Sequence, residues 1–202
     1  MIATTLLKLG IFLGKSIEPS THEDREFLRH KGHRDLFNNP RRNDGKLEFL
    51  QSIEDLIERR NNEFDTWGWK DPIVNFYIRD IHKKLRNPHF IFVTRDPGAA
   101  AQREMLVERR LSGEDRFGAA HILAHINIAA TSIVDMCDFI ATHQYSTLLV
   151  SYERAMARRT EFVTELADFV GIQDFDMQAI VAAIVPTHRQ FDVLGFPSHR
   201  EP

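Results

Sequence analysis

The chain has 202 residues, 43% of them apolar and 27% charged, an ordinary globular composition that excludes a disordered or fibrous protein. Its 26 Lys and Arg against 29 Asp and Glu give a formal net charge of −3, which argues against a uniformly basic, nucleic-acid-binding surface and leaves local cationic clusters to hold an anion. A single cysteine, Cys137, can close no internal disulfide, builds no thiolate zinc cluster and fits a reducing, cytoplasmic setting.

At about 150 residues per domain, the length points to one domain over residues 1–202, and no repeat or low-complexity tract divides it. The apolar stretches read as short and broken by charge, so no transmembrane segment is expected. Residues 1–14 are apolar around Lys8 but show no clear cleavage site, so no signal peptide is expected.

In chain order, residues 4–13 predict a short helix carrying Leu6, Leu7 and Leu9. Residues 14–44, rich in His, Arg, Asn and Asp, predict a polar loop with short helical pieces near an opening. Phe49, Leu50, Ile53, Leu56 and Ile57 recur at helical spacing and predict a helix over 46–60. The aromatic run 64–69 predicts a strand ended by Lys70-Asp71-Pro72. Pro72 is suited to open a helix because its missing N–H costs nothing in the first turn. Residues 90–94, Phe-Ile-Phe-Val-Thr, predict a strand apolar on both faces, as in a parallel sheet covered on each side.

Arg95-Asp96-Pro97-Gly98 breaks that strand, and a helix over 97–108 follows. A long helical region over 117–143 leads to a buried strand at 147–151. Tyr152-Glu153 then passes into helices at 159–170, stopped by Gly171, and 174–185. The alternation is that of an α/β, doubly wound, mostly parallel sheet with helices on both faces. Ligands of such sheets sit beyond the strand C-termini, where this order places Lys70, Arg95 and Tyr152.

Lys70 and Arg95 thus bring positive charge to one rim. A guanidinium grips phosphate through two parallel N–H donors, whereas an ammonium is a compact point charge able to follow a group in transfer. For either residue alone the plain alternative is a solvated ion pair. Arg103, on the following helix, turns back toward the same anion or pairs with Glu104 or Glu108. Asp71 is either a proton acceptor, if burial raises its pKa, or the cap of the helix at Pro72. His22, His30 and His33 are rival bases from the polar loop. His121 and His125, four residues apart with no third ligand evident, read as packing rather than as a metal site. Trp67 and Trp69 alternate on the short strand, where one covers a ligand or both fill the core. Tyr152-Glu153 reads as a structural hinge with the Tyr152 hydroxyl satisfied inside.

Four segments resemble the PAPS-dependent sulfotransferase family, whose donor is 3′-phosphoadenosine 5′-phosphosulfate. "TTLLKLGIFLG" from Thr4 is similar to the tail of the family's P-loop and its first helix. "WGWKDP" from Trp67 resembles the Lys-containing strand end of bacterial members. "FIFVTRDPGAAAQRE" from Phe90 is similar to the 3′-phosphate site, and "LLVSYERAMARRTEFVTELADFVGI" from Leu148 is similar to the late strand and helix. The resemblance implies a P-loop NTPase-like fold. In it Thr4 and Thr5 hold the phosphosulfate end, Arg95 binds the 3′-phosphate, Lys70 lies near the transferring group, and Arg103 stands where the family usually places Ser.

The first strand and most of the Gly-rich cradle that a P-loop needs have no counterpart before Thr4, so the fold is expected to be N-terminally incomplete. Either the start lies inside a longer reading frame or the site has diverged. The resemblance implies sulfuryl transfer to a hydroxyl or amine of a small molecule or glycan, in a scheme that requires no metal. A phosphoryl-transfer enzyme should show a Walker-type Lys-Ser/Thr with a Mg²⁺-binding carboxylate, and the sequence has no complete set. The alternative is a degenerate, non-catalytic nucleotide-binding or protein-interaction module.

Overall fold

The computed structural model describes residues 1–19, 22–28, 43–112 and 118–184. Its sheet, among those residues, is two parallel strands: β1, His89–Thr94, and β2, Ser146–Ser151. They pair in register from His89 opposite Ser146 to Thr94 opposite Ser151. Fold and sequence agree that this is an α/β protein with parallel strands. The full doubly wound sheet is not seen among the described residues.

Side chains alternate across a strand, and β1 divides them between two cores. Ile91 packs with Leu148 and Val150 of β2 into a core made by α1 (Ile2–Lys8), α7 (Tyr152–Ala157), α8 (Arg159–Val170) and α9 (Met177–Ala183), with Leu6, Phe162, Leu166 and Ile180 buried in it. Phe90 and Phe92 turn to the other core, made by α3 (Asn43–Glu63), the short α4 (Ile78–Ile81) and the end of α6 (Ala119–His143), around Ile53, Ile57, Tyr77 and Phe139. Each face of the strand thus meets a core, but the cover expected from its unbroken apolar run is incomplete, since Val93 of β1 and Leu149 of β2 stay exposed. The remaining helices are α2, Arg25–Leu28, in the polar segment and α5, Pro97–Ser112, which pairs with α6 in the crossover from β1 to β2.

Local chemistry sets the helix ends. Asp96 Oδ1 accepts the Ala99 N–H at 2.7 Å with Pro97 in the first helical position of α5, Ser151 Oγ accepts the Arg154 N–H at the start of α7, and Asp176 Oδ1 accepts the Ala179 N–H at 3.0 Å before α9. Gly171, at φ 74°, stops α8 as predicted, with the Ile172 N–H reaching back to the Ala167 carbonyl. Such a left-handed turn is easiest for glycine.

Three expectations are corrected. The first helix ends at Lys8, not residue 13, because Gly10 at φ 84° lets the Ile11 N–H close onto the Leu6 carbonyl. Leu9, in the turn that ends the helix, and Ile11 and Leu13 beyond it then enter the core. Residues 64–69 are not a strand: Trp67 forms one isolated parallel bridge to Phe12, with the Gly68 N–H bonded to the Phe12 carbonyl at 2.9 Å. Indole packing, with the Trp67 and Trp69 ring centres 5.6 Å apart, holds this segment in place of a ladder. Pro72 opens no long helix. The Asp71 carboxylate takes the Ile73 N–H, and the chain turns through a 3₁₀ segment, Val74–Phe76, into α4.

By length and composition α6 is long and apolar enough to cross a membrane. Its C-terminal half docks on the fold: Met136 and Phe139 are buried in the second core, and Arg79 binds both Asp135 and Asp138. Leu123, Ile128 and Val134 remain exposed along it.

Candidate functional site

The two strand ends bring together the motifs that follow them. Thr94 and Ser151 are opposite each other in the ladder, so Arg95-Asp96 and Tyr152-Glu153 leave the sheet side by side. The Arg95 guanidinium lies 4.7 Å from the centre of the Tyr152 ring, and its Nε is 3.9 Å from Glu153 Oε1. The same Glu153 oxygen accepts the Asp96 N–H at 3.1 Å. Arg95 Nε is buried without a hydrogen-bond partner among the described residues. The guanidinium is thus oriented by an aromatic face and a carboxylate charge, while its Nε–H meets no protein acceptor among the described residues. Tyr152, read as a hinge, is a stacking platform for Arg95. Arg103 lies exposed on α5.

Lys70 and Asp71 stand in a second cluster, which tertiary structure assembles from three stretches of chain. Lys70 Nζ is 3.1 Å from Glu23 Oε1, across 47 residues of sequence, with Glu23 buried and the lysine side chain 44% exposed. The start of α1 lies within reach of the lysine's field. The Met1 α-amino group has its pKa lowered by burial first and by the Lys70 charge second. His22 is lowered by burial, then by the Met1 amino group, then by Lys70, and its backbone is left-handed at φ 57°. Lys70 and His22 therefore lie near the start of α1, which bears Thr4 and Thr5. Because residues 64–69 form no strand, the described sheet does not set Lys70 on the rim beside Arg95, contrary to the expectation from the sequence. Thr4 is half-buried in the first turn of α1, and Thr5 is fully buried, donating its hydroxyl to the Met1 carbonyl at 3.2 Å.

Asp71 is held at both oxygens. Oδ1 accepts the Ile73 N–H at 2.9 Å, closing a turn in place of the cap expected for a helix at Pro72, and Oδ2 accepts the Tyr77 O–H at 2.5 Å. Tyr77, fully buried, in turn accepts the Trp69 Nε1–H at 3.3 Å. Burial raises the Asp71 pKa above the ordinary carboxylate value, opposed by the hydrogen bonds from Tyr77 and Ile73. Glu23 adds a small push upward and Lys70 a small pull downward. Burial and the neighbouring Asp71 charge drive the Tyr77 phenol well above its usual value, so it stays a donor.

Glu23 and Tyr77 were missed by sequence reasoning. Glu23 sits among other charges in "THEDRE", and Tyr77 reads as one more residue of an apolar stripe; nothing local marks either. The segment bearing His22 and Glu23 is anchored by Arg60, which is fully buried and pairs with Asp24 at 2.9 Å and with Glu26. His30 and His33 lie outside the described residues. Trp67 and Trp69 are half-buried, with Trp69 stacked on Phe27 at 4.8 Å between ring centres. His121 and His125 have their Nε2 atoms 3.2 Å apart. No group of three or more potential metal ligands occurs among the described residues.

One protein-family model, described as the Sulfotransferase family, matches residues 13–176. No curated protein and no solved structure matches the chain. The matched span contains Lys70, Asp71, Arg95 and Arg103, while Thr4 and Thr5 precede it. It runs from the chain just after α1 to the Asp176 cap of α9 and takes in both strands. On that coverage the chain belongs to the Sulfotransferase family.

Proposed function

We propose that the protein transfers a sulfuryl group from 3′-phosphoadenosine 5′-phosphosulfate to a hydroxyl or amine of a small molecule or glycan. The observation that carries this reading is the Arg95 guanidinium, oriented by Tyr152 and Glu153 with Nε buried and without a hydrogen-bond partner among the described residues. Such a group suits a phosphate, which it can grip with paired charge-assisted N–H donors. Arg95 binds the donor's 3′-phosphate and Arg103 is its secondary ligand. Thr4, at the start of α1, holds the phosphosulfate end, whereas Thr5, fully buried with its hydroxyl on the Met1 carbonyl, steadies the helix and does not reach the ligand, contrary to what the resemblance implies. In finer architecture, β1 and β2 are the paired part of a doubly wound, P-loop NTPase-like sheet, a reading supported by their parallel register and by cores on both faces. The single cysteine fits a cytoplasmic setting.

In the reaction the acceptor oxygen or nitrogen forms a bond to sulfur as the bond from sulfur to the bridging phosphate oxygen breaks. The electron pair leaves with 3′,5′-diphosphoadenosine, and the acceptor's proton passes to Asp71. Lys70 offsets charge that builds on the sulfuryl and bridging oxygens, where a positioned cation acts most strongly in the transition state. His22, whose pKa is lowered by burial and by nearby positive charge, is the alternative base.

Transfer of radiolabelled sulfuryl from the donor to a panel of hydroxyl and amine acceptors, with calorimetric titration of 3′,5′-diphosphoadenosine, tests this. Binding with transfer is expected. Binding without transfer assigns a non-catalytic nucleotide-binding module, and absence of binding removes the nucleotide from the reading.

A further inference from the structure

Asp71 presents a problem for the chemistry assigned to it. A carboxylate that takes a proton in the reaction has to be ionised beforehand, must keep a lone pair for the incoming proton, and must not rotate away from it. Burial opposes the first requirement, since it disfavours the charged form. The Asp71 side chain is only partly accessible and desolvation is the largest influence on it.

The structure answers through Tyr77. Its hydroxyl donates to Asp71 Oδ2 at 2.5 Å, and the Trp69 indole N–H donates to that hydroxyl at 3.3 Å. A donor that itself accepts a hydrogen bond is polarised and bonds more strongly to its own acceptor. Tyr77 cannot swing away, because its ring is fully buried and meets Phe49 edge to face at 5.2 Å. The opposite oxygen, Oδ1, is tied to the Ile73 N–H. A carboxylate has about four lone-pair sites, so two remain after these bonds, one on each oxygen, and the plane of the carboxylate is fixed.

We infer that Tyr77 is the positioning residue of the site: backed by Trp69, its hydroxyl fixes Asp71 in one orientation and keeps it ionised to receive the acceptor's proton. The inference rests on the assignment of Asp71 as the base. Tyr77 itself touches neither acceptor nor donor. The other charged groups facing Asp71 are Lys70, on the adjoining residue, and Glu23, on the segment packed against it, and their effects on the carboxyl oppose each other.

The test is the pH dependence of turnover in wild type, Asp71→Asn, Tyr77→Phe and Trp69→Phe, with the Asp71 carboxyl followed by ¹³C NMR titration. Loss of a hydrogen bond to a carboxylate is expected to move the acid limb of Tyr77→Phe upward by about one pH unit, with turnover approaching wild type on the alkaline side. The Asp71 carboxyl resonance should titrate upward in parallel. Trp69→Phe, which keeps an aromatic ring against Phe27, should shift the limb in the same direction by less, and it decides the matter if Tyr77→Phe fails to fold. A purely structural Tyr77 would lower stability or turnover at all pH values and leave the limb in place, which overturns the inference. If Asp71→Asn turns over like wild type, the assignment of the base fails and the inference falls with it. An active enzyme impaired by Asp71→Asn but with superimposable Tyr77→Phe and wild-type profiles rejects the inference alone.

Discussion

Arg95 is stacked on Tyr152, with the guanidinium carbon 4.7 Å from the ring centre. Their neighbours Thr94 and Ser151 are opposite one another in the parallel ladder. Two segments 57 residues apart in sequence, joined by the Asp96 N–H to Glu153 contact, therefore form one rim. The sheet register makes this meeting obligatory, because parallel strands end on the same edge.

Arg95→Ala is expected to weaken 3′,5′-diphosphoadenosine binding by about 1.5–3 kcal/mol, the range for a hydrogen bond to a charged group. Arg103→Ala should cost less. Calorimetry checks both, and an unchanged affinity for Arg95→Ala takes that residue out of the site.

Lys70→Ala should lower kcat more than donor affinity, since the ammonium acts chiefly on charge that develops during transfer. Stability should change by less than about 1 kcal/mol, because the Lys70–Glu23 pair is open to solvent on the lysine side. Steady-state kinetics beside urea unfolding separates the two effects. Equal losses in kcat and in affinity would place Lys70 on the bound donor instead.

The raised pKa of Asp71 carries a stability signature. A carboxyl whose folded pKa exceeds its unfolded value contributes stability below the unfolded value, near pH 4, that is lost as pH rises through the folded pKa. Asp71→Asn keeps a side chain able to accept the Ile73 N–H but removes the titration. The wild type should therefore lose stability relative to Asp71→Asn as pH is raised from about 4 to 7, as read by urea midpoints across that range.

His82 is set for the opposite limb. It is buried, with Nδ1 2.8 Å from the Tyr145 hydroxyl and its ring 4.3 Å from that of His143. Its pKa is lowered by burial, then by His143, Lys83 and Arg79. Stability from neutral His82 is full above its unfolded pKa of about 6.5 and is lost as pH falls through the lower folded value. The melting temperature should drop between about pH 7 and 5, and His82→Gln should flatten that slope. A slope that survives His82→Gln unchanged assigns it elsewhere.

Gly14→Ala should destabilise the segment that carries His22 and Glu23. Gly14 has φ 146°, and a Cβ there would stand 2.4 Å from Asp24 Cγ, the partner of buried Arg60. Overpacking of this kind costs about 1–3 kcal/mol, and the backbone conformation adds about 1 kcal/mol. A melting temperature lowered by several degrees is expected, and an unaltered one would show that the Asp24 contact yields freely.

The sequence alone determined both strands, the long helices and the strand-end location of Arg95. These are legible because a short unbroken apolar run marks a strand between two layers and a period of 3.6 marks a helix, and because Asp, Pro and Gly mark ends by backbone chemistry that acts within a few residues. At Asp71 the sequence carried both roles, cap and base, without choosing between them. Only the tertiary structure decided that residues 64–69 pair at a single bridge, that Glu23 crosses 47 residues to meet Lys70, and that Tyr77 reaches Asp71. The five residues between Asp71 and Tyr77 read as the start of a helix, yet the chain folds through a 3₁₀ segment that brings the hydroxyl onto the carboxylate. Such contacts depend on the path of the backbone through space, and a local pattern of apolar and polar residues records only which side of an element is buried, not which distant side chain it will face.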